Sequence, residues 1–252
     1  MNRPGDRNIW DQVRRHPWKW RRRTAPIRII LIHATRGGQR HTTEREFEAM
    51  QNWETSPNNR IEVKDGAGNV IDVYGSMASC CIGAGGLLMT MMPDDIYPYA
   101  SAGHMDPIAK SYEVCQSNDG MPYDPRDIDR LVEEVAEDCV QYNIPPRELV
   151  FVSGDNHEAP GIARHDRSAN GTKWGKSDPG GMFPPNFYTR VAARVQQLKN
   201  GEEPMTVEER RRLEAVEQTL ERTRWSYLTF AMQKNKEIEA LQKHAQHPPG
   251  KP

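Results

Sequence analysis

The sequence has few cysteines, no long apolar run and almost no net charge. Its 252 residues include four cysteines and no Cys-x-x-Cys pair, which excludes a disulfide framework and indicates free thiols in a reducing compartment. No apolar segment approaches the ~18–20 residues that a membrane-spanning helix needs. The mean hydropathy of −0.83 agrees with that exclusion. Glycine and proline, 19 of each, are spread without a period, which argues against collagen and coiled-coil rods.

The net charge of −1 conceals an uneven distribution along the chain. Residues 1–28 contain nine Lys and Arg against two Asp and Glu, and residues 29–198 contain 15 against 24. A basic segment could contact anionic wall polymer, a membrane or nucleic acid. No nucleic-acid module accompanies it, however, so we expect no specific nucleic-acid partner and take a solvated flank as the default interpretation.

An export signal is not expected, although Arg21-Arg22-Arg23 precedes an apolar run as in a twin-arginine leader. The apolar run Ile27–Ile32 is too short for a signal peptide and contains Arg28. We therefore expect a protein that is made in the cytoplasm without a signal peptide, and we interpret Ile27–Ile32 as a buried strand.

Composition and periodicity predict three segments. Residues 1–26 form a basic arm, packed on the domain or trailing from it. Residues 27–198 form one α/β domain, because strand and helix patterns alternate. Residues 199–252 form a charged helix, from Thr206 to about His244, with a disordered tail; packing on the domain, self-association and partner attachment stay open for this helix.

Within the domain, apolar periodicity and turn residues predict the individual elements. Helices are expected from Thr42 or Thr43 to about Trp53, from a cap at Asp124 to Tyr142, and over Phe187–Leu198. The expected strands are Ile27–Ile32, the hairpin Ile61–Lys64 and Asn69–Tyr74, the hairpin Ala78–Gly83 and Leu87–Met92, Lys110–Gln116 and Leu149–Ser153. The stretch from Gly154 to Pro185 is rich in Gly and Pro and is predicted to be a loop.

The most informative residues are histidines and carboxylates that could bind a metal. His165 precedes a Lys176-Ser-Asp178-Pro-Gly turn, and His33 ends the first buried strand. Zn²⁺ accepts imidazole and carboxylate ligands, and a catalytic site keeps a fourth position for water. His33, His165 and Asp178 therefore make a candidate zinc triad. Lys176 shares a face with Asp178 in an extended segment, where it could stabilise an oxyanion.

Segments in the same order resemble the zinc-dependent N-acetylmuramoyl-L-alanine amidases of the type-2 class, which include phage endolysins and are related to the peptidoglycan recognition proteins. The matching segments are Ile27–Ile32 with His33-Ala-Thr, Ser76-Met-Ala-Ser-Cys-Cys-Ile-Gly83, Tyr99-Ala-Ser-Ala-Gly103, Lys110-Ser-Tyr-Glu113, Gly161-Ile-Ala-Arg-His165 and Lys176–Phe183. The resemblance implies a single mixed central β-sheet flanked by helices.

The resemblance also implies roles for individual residues. His33, His165 and Asp178 would be zinc ligands, Lys176 the transition-state stabiliser, and Glu113 a general base or water-orienting carboxylate. Two departures from the family pattern concern substrate contacts: Ser79-Cys80 stands where the family has His-Tyr, and Ser101 where a histidine is common. His157 is a competing ligand candidate, but it matches no family position, so His165 is preferred.

The expected function is hydrolysis of the amide between N-acetylmuramic acid and L-alanine in peptidoglycan. Such an enzyme would act on the cell wall, in lysis or remodelling, and a phage protein of this kind could be released by a holin. The alternative is a peptidoglycan-binding protein of the same fold with little or no catalysis, since Ser79, Cys80 and Ser101 depart from the pattern. A third hypothesis, an assembly component, rests on the C-terminal helix alone.

Overall fold

The computed structural model describes residues 3–36, 42–75, 77–100, 105–118, 120–149 and 159–201, together with Thr219 and Lys234. The chain divides into two compact units, Met1–Glu202 and Glu203–Pro252. In the second unit the two described residues, Thr219 and Lys234, are both helical. The remainder of the predicted C-terminal helix lies outside the described residues.

A seven-stranded mixed sheet forms the centre of the first unit. Its spatial order is β1-β6-β5-β7-β2-β9-β8, and β6 pairs with β5 in antiparallel fashion while the other neighbours are parallel. A separate antiparallel hairpin is formed by β3 and β4. The strand bounds are β1 Arg7–Asn8, β2 Ile29–Ala34, β3 Arg60–Lys64, β4 Val70–Gly75, β5 Cys80–Gly83, β6 Leu87–Thr90, β7 Ala109–Val114, β8 Glu148–Leu149 and β9 Gly161–Arg164.

Helices cover both faces of the sheet. The helix bounds are α1 Trp10–Val13, α2 Thr43–Glu54, α3 Pro125–Gln141, α4 Ala169–Lys173 and α5 Phe187–Lys199. Helices α3 and α5 pack on one face against residues such as Ile30, Ile32 and Tyr112. The opposite face packs against the arm and α2, with Phe47 and Cys81 in that core. A mixed sheet flanked by helices is the predicted fold class, which is therefore confirmed.

Two of the predicted helices, α2 and α3, begin where the sequence indicated. The Thr42 side chain accepts the Arg45 N–H at the start of α2, and the Asp124 side chain accepts the Arg126 N–H at the start of α3. Each cap supplies an acceptor for an N–H that has no partner within the helix. Pro125 occupies the first turn of α3, where its missing N–H costs nothing.

The basic arm packs on the domain and extends its sheet, so the alternative of a trailing arm is wrong. Strand β1 pairs with β6, and Ile9, Val13 and Trp18 are buried. Several of its cations pair with acidic groups of the domain: Arg7 with Glu48, Lys19 with Asp72 and Arg22 with Asp95. The opposite charges of the two segments thus meet within one unit.

Two sequence predictions need correction. Strand β2 runs over Ile29–Ala34, so His33 lies inside the strand rather than after its end. The predicted loop from Gly154 to Pro185 contains strand β9, Gly161–Arg164, which is fully buried beside β2. Of the strand predicted over Leu149–Ser153, Leu149 belongs to β8, Glu148–Leu149, and residues 150–153 lie outside the described residues.

The four cysteines are free and buried, as expected of structural thiols. The Cys81 and Cys115 sulfurs lie 3.8 Å apart in the core below α2. Among the described helices, none is long and apolar enough to cross a membrane.

Candidate active site

The parallel pairing of β2 with β9 brings the two candidate histidines together. The paired positions end at Ile32 and Arg164; His33 is the next residue of β2, and His165 directly follows β9. Their ring centroids are 4.3 Å apart, and both side chains are buried. Strand β9, in a stretch that the sequence predicted to be a loop, therefore brings His165 to the carboxyl end of β2, next to His33.

Asp178 completes a cluster with the two histidines. Its Oδ2 lies 3.2 Å from His33 Nδ1 and 3.0 Å from His165 Nδ1. Burial alone would raise the pKa of Asp178, but hydrogen bonds from His165 and His33 hold that pKa well below its usual range. Burial, opposed by Asp178, lowers the pKa of His33 and favours the neutral imidazole that a metal needs as a ligand.

Surrounding polar contacts fix the turn that carries Asp178. The Tyr123 hydroxyl donates to the Pro179 carbonyl at 2.6 Å, and Arg164 Nη2 donates to the Gly180 carbonyl at 2.8 Å. Arg36 Nη1 donates to Ser177 Oγ from the segment that follows β2. Sequence reasoning missed these three side chains because their partners lie far away in the chain, and no local pattern marks them.

The donor set fits a zinc ion. One ligand atom from each of His33, His165 and Asp178 can be chosen so that all three lie within 4.8 Å of one another. Tetrahedral ligands at ~2.0–2.1 Å from zinc would lie roughly 3.3 Å apart, close to the observed nitrogen–oxygen separations. Two imidazoles and one carboxylate form a known catalytic zinc donor set.

Glu113 lies beside the triad on the other neighbouring strand. Its position on β7 pairs with His33 on β2, and its Oε2 is buried without a hydrogen-bond partner among the described residues. Burial, followed by the charge of Asp178, raises the pKa of Glu113 to about 8. Glu113 therefore lies next to a candidate metal ligand, and its role in the reaction stays a prediction.

Lys176 lies on the segment that leads to Asp178, and its side chain is exposed. Its backbone N–H donates to the Gly171 carbonyl at 2.8 Å, which attaches the segment to α4. The positive charge of Lys176 lowers the pKa of both His33 and Glu113, so its ammonium group is within electrostatic range of the site.

The residues that depart from the family pattern do not all face the site. Ser79 exchanges hydrogen bonds with Ser111, each hydroxyl accepting the other residue's N–H. Cys80 packs in the opposite core, below α3. Ser101 and the competing candidate His157 lie outside the described residues.

A cavity of about 480 Å³ adjoins the triad at Glu113. Helix α2 forms one wall, with Met50, Trp53 and Glu54 among its lining residues. The other wall includes Tyr99 and Glu113. The candidate metal cluster therefore has a cavity next to it, through Glu113, as a metal-dependent hydrolase needs for its substrate.

Comparison with known proteins agrees with this class. The sequence profile of a family described as N-acetylmuramoyl-L-alanine amidase (Amidase_2) matches residues 23–181, well over half of the chain. The chain therefore belongs to this family of peptidoglycan amidases. No curated protein matches the chain.

Several solved structures are similar to this chain at low sequence identity. A crystal structure of a selenomethionine AmpD derivative matches with a TM-score of 0.50 and 13% identity, covering 75% of this chain and 94% of that one. The Staphylococcus aureus hydrolase AmiA, in complex with its ligand, matches with a TM-score of 0.49 and 11% identity, covering 81% and 90%. The Ph2119 endolysin of a Thermus scotoductus bacteriophage gives 0.44 and 14%, covering 75% and 97%.

Proposed function

We propose that this amidase is zinc-dependent and cleaves the amide between the lactyl group of N-acetylmuramic acid and L-alanine. The observation that carries the proposal is the meeting of His33, His165 and Asp178, which lie on separate segments of the chain and form one cluster of ligand atoms. Zn²⁺ held by these three residues would lower the pKa of a bound water toward ~7 and so supply a hydroxide nucleophile near neutral pH.

Lys176 stabilises the negative charge that develops on the carbonyl oxygen during the attack. Its ammonium group is exposed, and its charge reaches both His33 and Glu113. A cation placed where an oxyanion develops stabilises the transition state more than the ground state. Lys176 is therefore assigned to transition-state stabilisation rather than to metal binding.

Glu113 moves the proton that the leaving amine requires. The raised pKa of its buried carboxyl would let Oε2 hold a proton near neutral pH, and its position beside His33 supports a role at the reacting groups. A carboxyl whose pKa lies near the working pH is suited to general acid–base catalysis. The proton passes from Glu113 Oε2 to the amine nitrogen as the carbon–nitrogen bond breaks.

The alternative function, a peptidoglycan-binding protein without catalysis, is less well supported. Binding alone does not need two histidines and an aspartate in ligand geometry beside an unpartnered carboxyl. The departures at Ser79 and Cys80 fall on a buried strand–strand contact and on the opposite core. They therefore give little support to a loss of catalysis.

Metal analysis combined with an assay of new amino groups tests the proposal. Purified peptidoglycan is incubated with the wild type, His165→Ala and Lys176→Ala, and free L-alanine amino termini are measured. We expect about one zinc per wild-type chain, no zinc and no activity in His165→Ala, and zinc without normal activity in Lys176→Ala. A wild type that contains no zinc and releases no amino groups would refute the proposed zinc-dependent amidase activity.

We also propose a biological setting for the enzyme. The substrate places the action at the cell wall, in lysis or remodelling, and release from the cytoplasm through a holin-type pore would bring the enzyme to it. Fractionation of expressing cells with and without a holin tests this route. Self-association through the C-terminal helix stays a prediction, and size-exclusion chromatography of residues 1–202 against the full chain tests it.

A further inference from the structure

The N-terminal arm is hydrogen-bonded to two segments of the domain through its backbone. The Lys19 N–H donates to the Val73 carbonyl of β4 at 2.9 Å. Two residues further along the arm, the Arg21 carbonyl accepts the Tyr97 N–H at 3.1 Å. The arm therefore connects the β3–β4 hairpin to the segment that contains Tyr97.

The Arg21 guanidinium lies over two tyrosine rings, one from each of these segments. Its central carbon is 4.2 Å from the ring centroid of Tyr74 on β4 and 5.0 Å from the ring centroid of Tyr99. Burial alone would lower the pKa of Arg21, but its interactions with Tyr97, Tyr99 and Tyr74 raise that pKa. A guanidinium within about 6 Å of the face of an aromatic ring is attracted to it. Arg21 therefore attracts both rings at once.

The neighbouring cations of the arm have different partners. Lys19 pairs with Asp72 and Arg22 pairs with Asp95, and both of these cationic side chains are exposed. Arg21 is half-buried, and no described carboxylate pairs with it. The position of its side chain is thus set by the tyrosine rings and not by an acidic partner.

Close packing fixes the arm directly before Arg21. The Trp20 ring lies against Gly75 at the end of β4, where an added Cβ would come within 2.2 Å of the ring. Trp10 packs edge-on against Trp20, with ring centroids 5.1 Å apart. Arg21 is therefore presented to the two tyrosine rings from a backbone that is held in place.

Tyr99 connects Arg21 to the active site. Tyr99 and Ala100 line the cavity that Glu113 also lines. Residues 97–100 belong to no helix or strand, so no regular backbone hydrogen bonding fixes the Tyr99 ring. Among the described residues, no other charged or aromatic side chain stacks on this ring. The contact with Arg21 therefore fixes the orientation of the ring in the cavity wall.

We infer that Arg21 is a positioning residue of this amidase, which holds the Tyr99 ring in the cavity wall and so makes the arm part of the substrate site. The inference rests on the proposed function, because it requires substrate in the cavity beside the candidate metal cluster. Arg21 precedes residues 23–181, which the family profile matches. A ring that is already ordered costs less entropy when substrate binds. Loss of Arg21 therefore weakens substrate binding and leaves the chemical step unchanged.

Steady-state kinetics on Arg21→Ala tests the inference, with disaccharide peptides from muramidase-digested peptidoglycan as the soluble substrate. We expect KM to rise about three- to tenfold with kcat unchanged, because binding is lost equally from the ground state and the transition state. Arg22→Ala is the matched control. Arg22 is the next residue, is exposed and is absent from the cavity lining, so this variant should keep both constants.

A double-mutant cycle with Tyr99→Ala separates positioning from a general structural role. Tyr99→Ala should itself raise KM, and adding Arg21→Ala should then change KM by less than about twofold, because the ring that Arg21 positions is gone. An unchanged KM in Arg21→Ala would overturn the inference. The same rise in KM with and without the Tyr99 ring would also overturn it.

Arg21→Lys keeps the test decisive if Arg21→Ala does not fold. Lysine keeps the positive charge but lacks the planar group that stacks on both rings. This variant should therefore raise KM in the same direction, by a smaller factor than Arg21→Ala. An unchanged KM in Arg21→Lys, with Arg21→Ala unfolded, would overturn the inference.

The outcomes separate the inference from the proposed function. Normal cleavage by the wild type with no effect of Arg21→Ala overturns the inference alone. If the wild type cleaves no disaccharide peptide, the proposed function fails, and calorimetric binding of the same peptides then tests Arg21. Weaker binding to Arg21→Ala than to Arg22→Ala would support the positioning role, and equal binding or none would overturn it.

Discussion

Arg130 on helix α3 and Asp6 in the N-terminal arm form a buried ion pair, with Nη2 3.0 Å from Oδ2. The other oxygen of Asp6 accepts the Leu88 N–H at the edge of the sheet. One carboxylate of the arm is therefore bound both to a helix on one face and to strand β6. The arm is a structural part of the domain, and its removal would leave Arg130 buried without this counter-ion.

The arm should contribute to stability through its buried tryptophan. Trp18 is 8% exposed, whereas Trp174 is 64% exposed. We expect Trp18→Ala to lower the free energy of unfolding by about 3 kcal/mol or more, because a large buried side chain is replaced by a cavity. Trp174→Ala should change it by less than about 0.5 kcal/mol. Urea unfolding followed by circular dichroism measures both, and equal losses would contradict a packed arm.

Lys176 should affect the chemical step rather than metal binding. We expect Lys176→Ala to lower kcat by about 10²–10³, the effect of removing one oxyanion stabiliser, with little change in zinc content. Lys173→Ala, in the same exposed segment, should keep wild-type kcat. Steady-state kinetics with metal analysis on the same samples provides the measurement. A fall in zinc content that matches the fall in kcat would instead assign Lys176 to the metal site.

Zinc should stabilise the folded domain. His33 and Asp178 are 145 residues apart in sequence, so the site exists only when the strands have assembled. At free zinc one hundred times the dissociation constant, we expect about 2.7 kcal/mol of added stability and a corresponding rise in Tm. Scanning calorimetry with and without a chelator measures it. His165→Ala should show no such shift, and an equal shift there would point to zinc binding elsewhere.

Asp127 should make stability depend on pH. Burial raises its pKa to about 6, and its carboxylate accepts hydrogen bonds from Thr43 Oγ1 and the Gly86 N–H. The folded protein therefore binds this proton more tightly than the unfolded chain does. This contribution is complete below about pH 4 and is lost as the pH rises to about 6, a change of about 2–3 kcal/mol.

Asp127→Asn tests this pH dependence. The neutral amide can accept from Gly86 and donate to Thr43, so the contacts are kept while the titration is removed. The difference in unfolding free energy between wild type and variant should shift in favour of the variant between about pH 4 and pH 6. A difference that is constant across that range would show that Asp127 does not titrate there.

The sequence predicted the elements with strong periodicity and clear caps. Helices α2 and α3 begin at their threonine and aspartate caps, and the β5–β6 hairpin lies at its predicted turn. The metal triad was also predicted, because imidazole and carboxylate groups near strand ends and turns carry a chemical signal of their own. Glu113 followed from the family resemblance and not from its local pattern.

The sequence did not reveal features that depend on distant contacts. Strand β9 has four residues, begins with glycine and includes Arg164, so it lacks the apolar run of an interior strand. Its arginine is accommodated because it pairs with Asp166 and donates to Gly180. The structure of the arm was likewise not predictable from the sequence. Its short strand and single-turn helix have no periodicity of their own, because they are stabilised by contacts with the rest of the domain.

Strand β2 has a neighbour on each side that contributes to the site, Glu113 from β7 and His165 just after β9. Successive residues of a strand face opposite sides of a sheet. A single-residue insertion or deletion within β2 would therefore turn His33 toward the α3 core and expose an aliphatic side chain to the substrate. A change in the length of a surface loop leaves this alternation intact, whereas a change in the number of residues inside β2 removes His33 from the site.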